Sequence, residues 1–262
     1  MRFRIAICLE SLRLPLRQGT LTAARLGATG VELEARGELA PRNLSRTGRR
    51  QLRKSLDDVG LQVACVSFRT RRGYEIDDEI DRRVQATKEA MTLAYDLGAS
   101  VVSNSIGQVA ESEEDPTRQI LTESLLELGR HGQTCGAWLA ARTGSTSGPL
   151  LSKFLDTLPD GSVGIDFDPA ALSVNGHAVD EALTALAPRI IHVHARDAAR
   201  DLAVGRGMEV TLGRGSVDFF QLAATLDQRA YRGYFTIDRR EARDPVREAG
   251  DAVKFLQALR GS

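Results

Sequence analysis

Eight short β-rich segments alternate with amphipathic helical stretches along this chain of 262 residues. The strand-like segments cover residues 3–10, 30–35, 61–68, 100–106, 137–143, 162–168, 189–195 and 233–238. Between them, apolar residues recur at a three-to-four spacing, which is typical of helices that pack on a sheet. Eight such β-α units in a chain of this length predict a single-domain α/β fold, a (β/α)8 TIM barrel over residues 1–262.

An open, doubly wound parallel sheet is the alternative architecture for alternating strands and helices. Such a sheet commonly carries a G-x-G-x-x-G turn after its first strand, and no such turn follows residues 3–10. Polar residues also end many of the strands here, whereas a doubly wound sheet collects them where its strand order reverses. Both observations favour the barrel.

Charged and imidazole side chains stand near the ends of several predicted strands. Asp168 ends IDFD, His192 and His194 lie in IHVHARD, and Asp238 ends YFTID. Such groups are costly to bury unless they pair, bind a metal or take part in catalysis. Alternation along each strand brings six side chains to the C-terminal mouth of the barrel, where this fold places active sites: Glu10, Glu34, Arg142, Asp168, His194 and Asp238. Glu10 and Glu34 depend on strand register, because a shift of one residue would turn both away.

The composition indicates the class of ligand and the compartment. The chain has 35 basic and 35 acidic residues, and this balance argues against nucleic acid as the main ligand. No apolar run approaches the length of a membrane span. The three cysteines lie far apart in apolar contexts, which is typical of reduced thiols. We therefore expect a cytoplasmic protein that binds a small molecule, with neither nucleic acid nor a membrane as partner.

Two motifs in the second half of the chain resemble those of a known family. IHVHARD, followed by LGRGSVDFF, and GIDFDPAAL are similar to segments of the xylose isomerase-like TIM barrels, the sugar phosphate isomerase and epimerase superfamily. The resemblance extends over essentially the whole chain. It implies isomerase or epimerase chemistry in carbohydrate metabolism, a sugar-like ligand and a homo-oligomer. It also implies a divalent metal, Mn, Mg or Zn, held by Glu, Asp, His and Glu at the ends of the fifth to eighth strands.

The resemblance transfers these four metal positions to Arg142, Asp168, His194 and Asp238. Asp168 and His194 match the family pattern, while Asp238 is one methylene shorter than the Glu of the family. Arg142 cannot ligate a cation, because a guanidinium stays protonated and offers only donors. We therefore expect Asp168, His194 and Asp238 to form a weak or vestigial metal site. Arg142 is expected to occupy roughly the place of the metal, in an ion-pair cluster with the two aspartates.

The same resemblance suggests roles for the polar residues of the mouth. Catalytic roles are expected for Asp238, His194 and Arg142, and substrate contacts for Glu10, Glu34, His192 and Arg196. One hypothesis is an isomerase-like enzyme that acts on a small polyhydroxylated carbonyl compound. The other is a non-catalytic sugar-binding or regulatory barrel that has lost metal-dependent chemistry. Metal bound at Asp168 and His194 would favour the first, and an Arg142 ion-pair cluster would favour the degraded site.

Overall fold

Eight parallel strands close into a barrel in the computed structural model, which describes residues 1–199 and 207–261. Barrel strands and a short antiparallel pair follow one another as β1 Arg4–Cys8, β2 Gly30–Glu34, β3 Gln62–Ser67, β4 Val101–Asn104, β5 Trp138–Arg142, β6 Gly164–Phe167, β7 Ile190–Ala195, β8 Asp197–Ala199, β9 Met208–Val210 and β10 Tyr234–Ile237. The barrel runs in order from β1 to β7, and β10 closes it between β7 and β1. The predicted (β/α)8 fold is therefore confirmed, and closure excludes the open doubly wound sheet.

Helices connect successive strands. In the described part of the chain they are α1 Leu16–Arg25, α2 Arg46–Asp57, α3 Ile80–Asp96, α4 Pro116–Cys135, α5 Gly148–Leu155, α6 Pro169–Val174, α7 Val179–Leu186, α8 Phe219–Gln228 and α9 Pro245–Gly261. Local sequence explains several of their starts. Asp115 caps α4 by accepting the Thr117 N–H at 2.9 Å, and Pro116 occupies a first-turn position that needs no N–H. None of the helices in residues 1–199 and 207–261 has the length and apolar character to cross a bilayer.

All eight predicted barrel strands are present, each shorter by one or two residues at one or both ends. The trimming matters most at β1, which ends at Cys8, so that Glu10 falls in a 3-10 turn over Leu9–Leu12. After β7, the short strands β8 and β9 pair in antiparallel fashion outside the barrel. Residues 200–206, between these two strands, lie outside the described part of the chain.

The apolar core lies between the strands and the helices. Ile7, Val31 and Phe167 point outward from the barrel and form one buried cluster with helix residues such as Leu121 and Leu256. At alternating positions, the side chains inside the barrel are small or polar: Ala6, Cys8, Glu32, Cys65, Ala140, Asp166, His192, His194 and Thr236. Small residues in the barrel interior leave room for the polar groups above them, near the carboxyl ends of the strands.

The strand register shifts at the two places where carboxylates enter the interior. Between β2 and β3 the shift falls between Val31 and Glu32, where β3 carries an extra residue. A second shift, between β6 and β7, falls between Ile165 and Asp166. Such bulges re-aim side chains and occur often next to functional sites. Here both shifts immediately precede an acidic side chain that is fully buried.

Asp197 explains why an LGRG segment accompanies IHVHARD in the sequence motif. Its buried carboxylate accepts backbone N–H groups from Ala198, Gly213, Gly215 and Val217 at 2.8–3.2 Å. Gly213 has a φ of 76°, and a Cβ at Gly215 would lie 2.1 Å from Oδ1 of Asp197. The motif therefore forms a loop closure, in which hydrogen bonds to Asp197 tie residues 213–217 to the chain directly after β7.

The three cysteines are free thiols. Cys8 and Cys65 are buried inside the barrel, and burial raises the pKa of both thiols well above the ordinary value. A raised pKa keeps a thiol protonated and unreactive. The expectation of reduced thiols therefore agrees with the free, buried Cys8 and Cys65, while the cytoplasmic location stays a prediction.

Candidate active site

A cavity of about 320 Å³ opens at the C-terminal mouth of the barrel. Strand ends and the loops after them supply its walls: Ser67, Arg69, Thr70, Ser103, Asn104, Ser105, Arg142, Thr143, Ser145, Asp168, Ala171, Arg196, Asp238 and Arg240. Every one of these side chains except Ala171 is polar or charged. The structure therefore provides a hydrophilic pocket at the end of the barrel where active sites of this fold are found.

Part of the cavity wall is an arginine layer, in which four arginines surround two aspartates. The arginines are Arg69, Arg142, Arg196 and Arg240, and the aspartates are Asp168 and Asp238. At the centre of the layer, Nε and Nη2 of Arg142 lie 3.0 and 2.9 Å from Oδ2 of Asp168. The same Nη2 donates to Oδ2 of Asp238 at 3.4 Å. The ion-pair cluster of Arg142 with both aspartates, as predicted from the sequence, is therefore present.

Further guanidinium groups complete the pairing of the two aspartates. Arg196 donates to Oδ2 of Asp168 at 2.9 Å. Arg69 and Arg240 donate to Asp238 at 3.3 and 3.1 Å. Burial alone would raise the pKa of each carboxyl group, but the surrounding arginines outweigh it and hold both pKa values below the ordinary range. Both aspartates are therefore ionised at neutral pH and are weak bases.

An inner polar layer lies beneath the arginine layer and comprises Glu32, Ser103, Asp166, His192 and His194. The Nδ1 of His194 is hydrogen-bonded to Oδ1 of Asp166 at 2.8 Å, and its Nε2 lies 2.8 Å from Oε2 of Glu32. Ser103 donates from its hydroxyl to the other oxygen of Asp166. All five side chains are at most 1% exposed. The layer is thus a dry cluster in which one imidazole lies between two carboxylates.

The two histidines of this layer are pushed in opposite directions. Burial and Arg142 disfavour a charged His194, but Asp166 and Glu32 outweigh them and raise its pKa to about 9. His192 has no such close carboxylate pair, and burial lowers its pKa to about 4. At neutral pH His194 is therefore an imidazolium and His192 is neutral.

The strand-end residues do not fit the divalent metal that the resemblance implies. Arg142 places donors on both Asp168 and Asp238, where a metal would need free oxygen lone pairs. His194 is turned away from these aspartates, because both of its ring nitrogens face Asp166 and Glu32. The observed contacts therefore leave no place for a cation at this set.

Glu32, His192 and His194 of the inner layer form a different group that could hold a divalent metal. One ligand atom from each lies within 4.8 Å of the others. Oε1 of Glu32 and Nε2 of His192 are buried without a hydrogen-bond partner within the described residues, while Oε2 of Glu32 and Nε2 of His194 lie 2.8 Å apart. Asp166 bonds the opposite nitrogen of His194, as outer-shell carboxylates commonly do for metal-bound histidines.

The remaining predicted substrate contacts lie in different places. Arg196 is in the cavity wall and His192 is in the inner layer. Glu34 ends β2 at the rim, 3.8 Å from Arg240, and lines a neighbouring groove together with the exposed Glu10. The structure does not bring Glu10 to the cavity, because the chain turns after Cys8. Substrate binding by these four residues stays a prediction.

Several residues of the site were not singled out from the sequence. Glu32 and Asp166 each stand two positions before a predicted strand-end carboxylate, on the same strand face. A charged residue inside a buried strand was the available signal, because such a residue requires a partner. Arg69 follows the third strand and Arg240 follows the last strand, and neither lies in a motif that the sequence analysis singled out.

Comparisons with known proteins agree with this architecture. A model of the xylose isomerase-like TIM barrel family matches residues 21–259. A putative L-ribulose-5-phosphate 3-epimerase, SgbU, of Escherichia coli is 26% identical over 222 residues, covering 76% of this chain and 74% of that protein. An inosose dehydratase of Clostridium beijerinckii is 24% identical, with 80% of each protein covered.

A solved structure shares the whole fold. The xylose isomerase domain protein of Planctomyces limnophilus superposes with a TM-score of 0.85 at 25% identity, covering 99% of this chain and 98% of that chain. The family match and this superposition both extend over nearly all of the barrel. The chain therefore belongs to the xylose isomerase-like TIM barrel family.

Proposed function

We propose that this protein is a sugar isomerase- or epimerase-like barrel that binds a small polyhydroxylated carbonyl compound in the mouth cavity, with a degraded strand-end metal site. The position of Arg142 carries the proposal. Its guanidinium bridges Asp168 and Asp238, where the resemblance places a metal. It supplies fixed positive charge at the base of a polar cavity.

The cavity wall suits a ligand with many hydroxyl groups. Seven of its side chains carry a hydroxyl or an amide: Ser67, Thr70, Ser103, Asn104, Ser105, Thr143 and Ser145. Such groups both donate and accept hydrogen bonds, as the hydroxyls of a polyol do. The relatives named for acting on L-ribulose 5-phosphate and on inosose support the same ligand class.

Arg142 can also stabilise negative charge on a ligand oxygen. A preorganised donor aimed at a developing oxyanion is a major source of catalysis in carbonyl chemistry. In this role a guanidinium polarises a carbonyl oxygen without a metal. Proton abstraction then requires a base, and the two cavity aspartates are held as weak bases by their arginines.

The pairing of Asp168 and Asp238 with arginines favours a second candidate function, a non-catalytic sugar-binding or regulatory barrel. Both cavity carboxylates accept from two or more arginines. A carboxylate with this many cationic partners takes up a proton poorly. Ligand binding without turnover is the outcome expected if no other base reaches the ligand.

Binding and turnover can be separated in one experiment. Ketopentoses, ketohexoses, inososes and their phosphate or acid derivatives are titrated calorimetrically, and each compound that binds is then incubated in deuterated water. Deuterium entering at the carbon beside the carbonyl identifies the enzyme, and binding without exchange identifies the non-catalytic barrel.

Matched variants locate the binding. Ser105→Trp fills the cavity and should abolish binding, whereas Ser55→Trp on the exposed face of α2 should leave it unchanged. Failure of every compound to bind, or equal binding by both variants, would contradict the proposed function.

A further inference from the structure

The cavity wall carries more positive than negative side chains. Four arginines and two aspartates line it, and its other lining residues are uncharged. Counting ionised side chains, the wall has a net charge of about +2 at neutral pH. A neutral polyol would leave this excess unbalanced in a half-buried space.

Acidic residues outside the wall reduce this excess, but within the described residues none of them forms an ion pair with Arg69. Below the wall, Glu32 and Asp166 carry one more charge than His194 balances. Glu209 lies 3.3 Å from Arg196, but it also lies 3.2 Å from Arg239. Glu34 lies 3.8 Å from Arg240, but 3.5 Å from Arg36. Each of these acids is shared with an arginine that does not line the cavity.

Arg69 is the least well paired of the four arginines. Its ion pair with Asp238, at 3.3 Å, is shared with Arg142 and Arg240, and its Nε is buried without a hydrogen-bond partner in the described residues. Burial and the nearby charges of Arg142 and Arg240 lower the pKa of Arg69. Repulsion among these guanidinium groups is relieved when an anion enters between them.

We infer that the ligand of this cavity bears an anionic group, a phosphate or a carboxylate, held by Arg69 and the other arginines of the arginine layer. This inference rests on the proposed function and specifies its substrate class. Guanidinium groups match planar or tetrahedral oxyanions with paired N–H donors. A polyhydroxylated chain attached to the anion lies against the serines, threonines and asparagine of the wall.

Pairs of polyhydroxylated compounds with the same carbon skeleton, one neutral and one anionic, test the inference. Ribulose is compared with ribulose 5-phosphate, and glucose with gluconate, by calorimetry, with inorganic phosphate as a competitor. One anionic member is expected to bind at least about tenfold more tightly than its neutral partner, which is the effect of one charge-assisted contact. The pair whose anionic member binds more tightly than its neutral member identifies the anion as a phosphate or a carboxylate. The preference should shrink as salt is added.

A matched pair of arginine variants locates the anion. Arg69→Gln should weaken the anionic compound about tenfold or more and change the neutral one little, because one charged contact is lost. Arg71→Gln removes the same charge from an exposed position in the same loop, outside the cavity, and should change neither. Arg240→Gln serves as a second cavity variant with the expectation given for Arg69→Gln.

The outcomes separate this inference from the proposed function. Equal binding of neutral and anionic members, or equal effects of Arg69→Gln and Arg71→Gln, overturns the inference and leaves the proposed function standing. Binding of inorganic phosphate without any polyol supports an anion site and overturns the proposed function. No binding of any compound overturns both.

Discussion

In the inner polar layer one imidazole lies between two buried carboxylates, whereas in the arginine layer four guanidinium groups surround two. The inner side chains are at most 1% exposed, while the exposed fractions of the arginine side chains run from 14% to 36%. Within the described residues, His194 is the only positively charged group in ion-pair contact with the inner carboxylates. In the arginine layer the positive charge is distributed, so that each carboxylate keeps a partner when one arginine is lost.

The largest effect is expected at His194. Replacing it with Ala leaves Glu32 and Asp166 buried without the imidazolium, which should lower the free energy of unfolding by about 3–5 kcal/mol. Urea denaturation measures the change. His177→Ala, in the turn after α6, is the control and should change stability by less than about 0.5 kcal/mol. A loss below about 1 kcal/mol for His194→Ala would mean that the inner carboxylates do not depend on this cation.

A smaller loss is expected at Arg142. Arg142→Ala removes the central guanidinium, but Arg196 still pairs with Asp168, and Arg69 and Arg240 with Asp238. We expect a loss of about 2 kcal/mol, below that of a buried charge left wholly unpaired. Arg72→Ala removes only an exposed ion pair with Asp78 and should cost less than about 1 kcal/mol. Equal losses for the two variants would show that the arginine layer is not a stabilising cluster.

Rebuilding the metal ligands tests the arginine layer through a smaller expected change in stability. Arg142→Glu with Asp238→Glu recreates the Glu, Asp, His and Glu residue set, although Arg69 and Arg196 remain to compete for the carboxylates and His194 has to turn one ring nitrogen away from Glu32 or Asp166. Added Mn should stabilise the double variant by about 1.4 kcal/mol at ten times Kd, seen as a rise in Tm. Arg142→Gln with Asp238→Glu lacks one ligand and should show a smaller rise. Absence of any rise in a folded double variant would contradict the transfer of the family positions to this chain.

The subtlest test asks which layer holds any metal that the unmodified protein takes up. We expect a divalent metal, if added Zn or Mn binds, to use Glu32, His192 and His194. Elemental analysis after dialysis should then show the metal lost on His192→Gln and retained on Asp168→Asn. The reverse pattern would place the metal in the arginine layer and show that Arg142 does not exclude a cation there.

The sequence predicts the fold well because the strand pattern is local. Each β-α unit is marked by apolar periodicity, and several of the helices stop at Gly or Pro just before the next strand, so all eight strands could be located to within two residues at each end. The Arg142 cluster was also predictable, since a charge reversal among acidic neighbours admits few arrangements. Glu10 was harder to place, because the end of β1 depends on a turn that no motif marks.

The inner polar layer could not be predicted from the same pattern. Glu32 and His194 meet across the barrel from strands far apart in sequence, and their contact depends on the register shifts before Glu32 and Asp166. Strand alternation indicates a shared face but does not reveal which side chains touch. Those contacts are set by strand pairing, which is a property of the closed barrel.

The loop closure at Asp197 has a consequence for sequence divergence within the family. Its carboxylate is adjacent in the chain to Arg196, whose guanidinium reaches Asp168 in the cavity. A side chain at position 215 would displace that carboxylate, since even a Cβ would lie 2.1 Å from it. Selection for a different ligand preference can therefore act at Gly215, although this residue does not line the cavity. Two descendants with identical cavity residues could diverge in ligand preference through this one glycine.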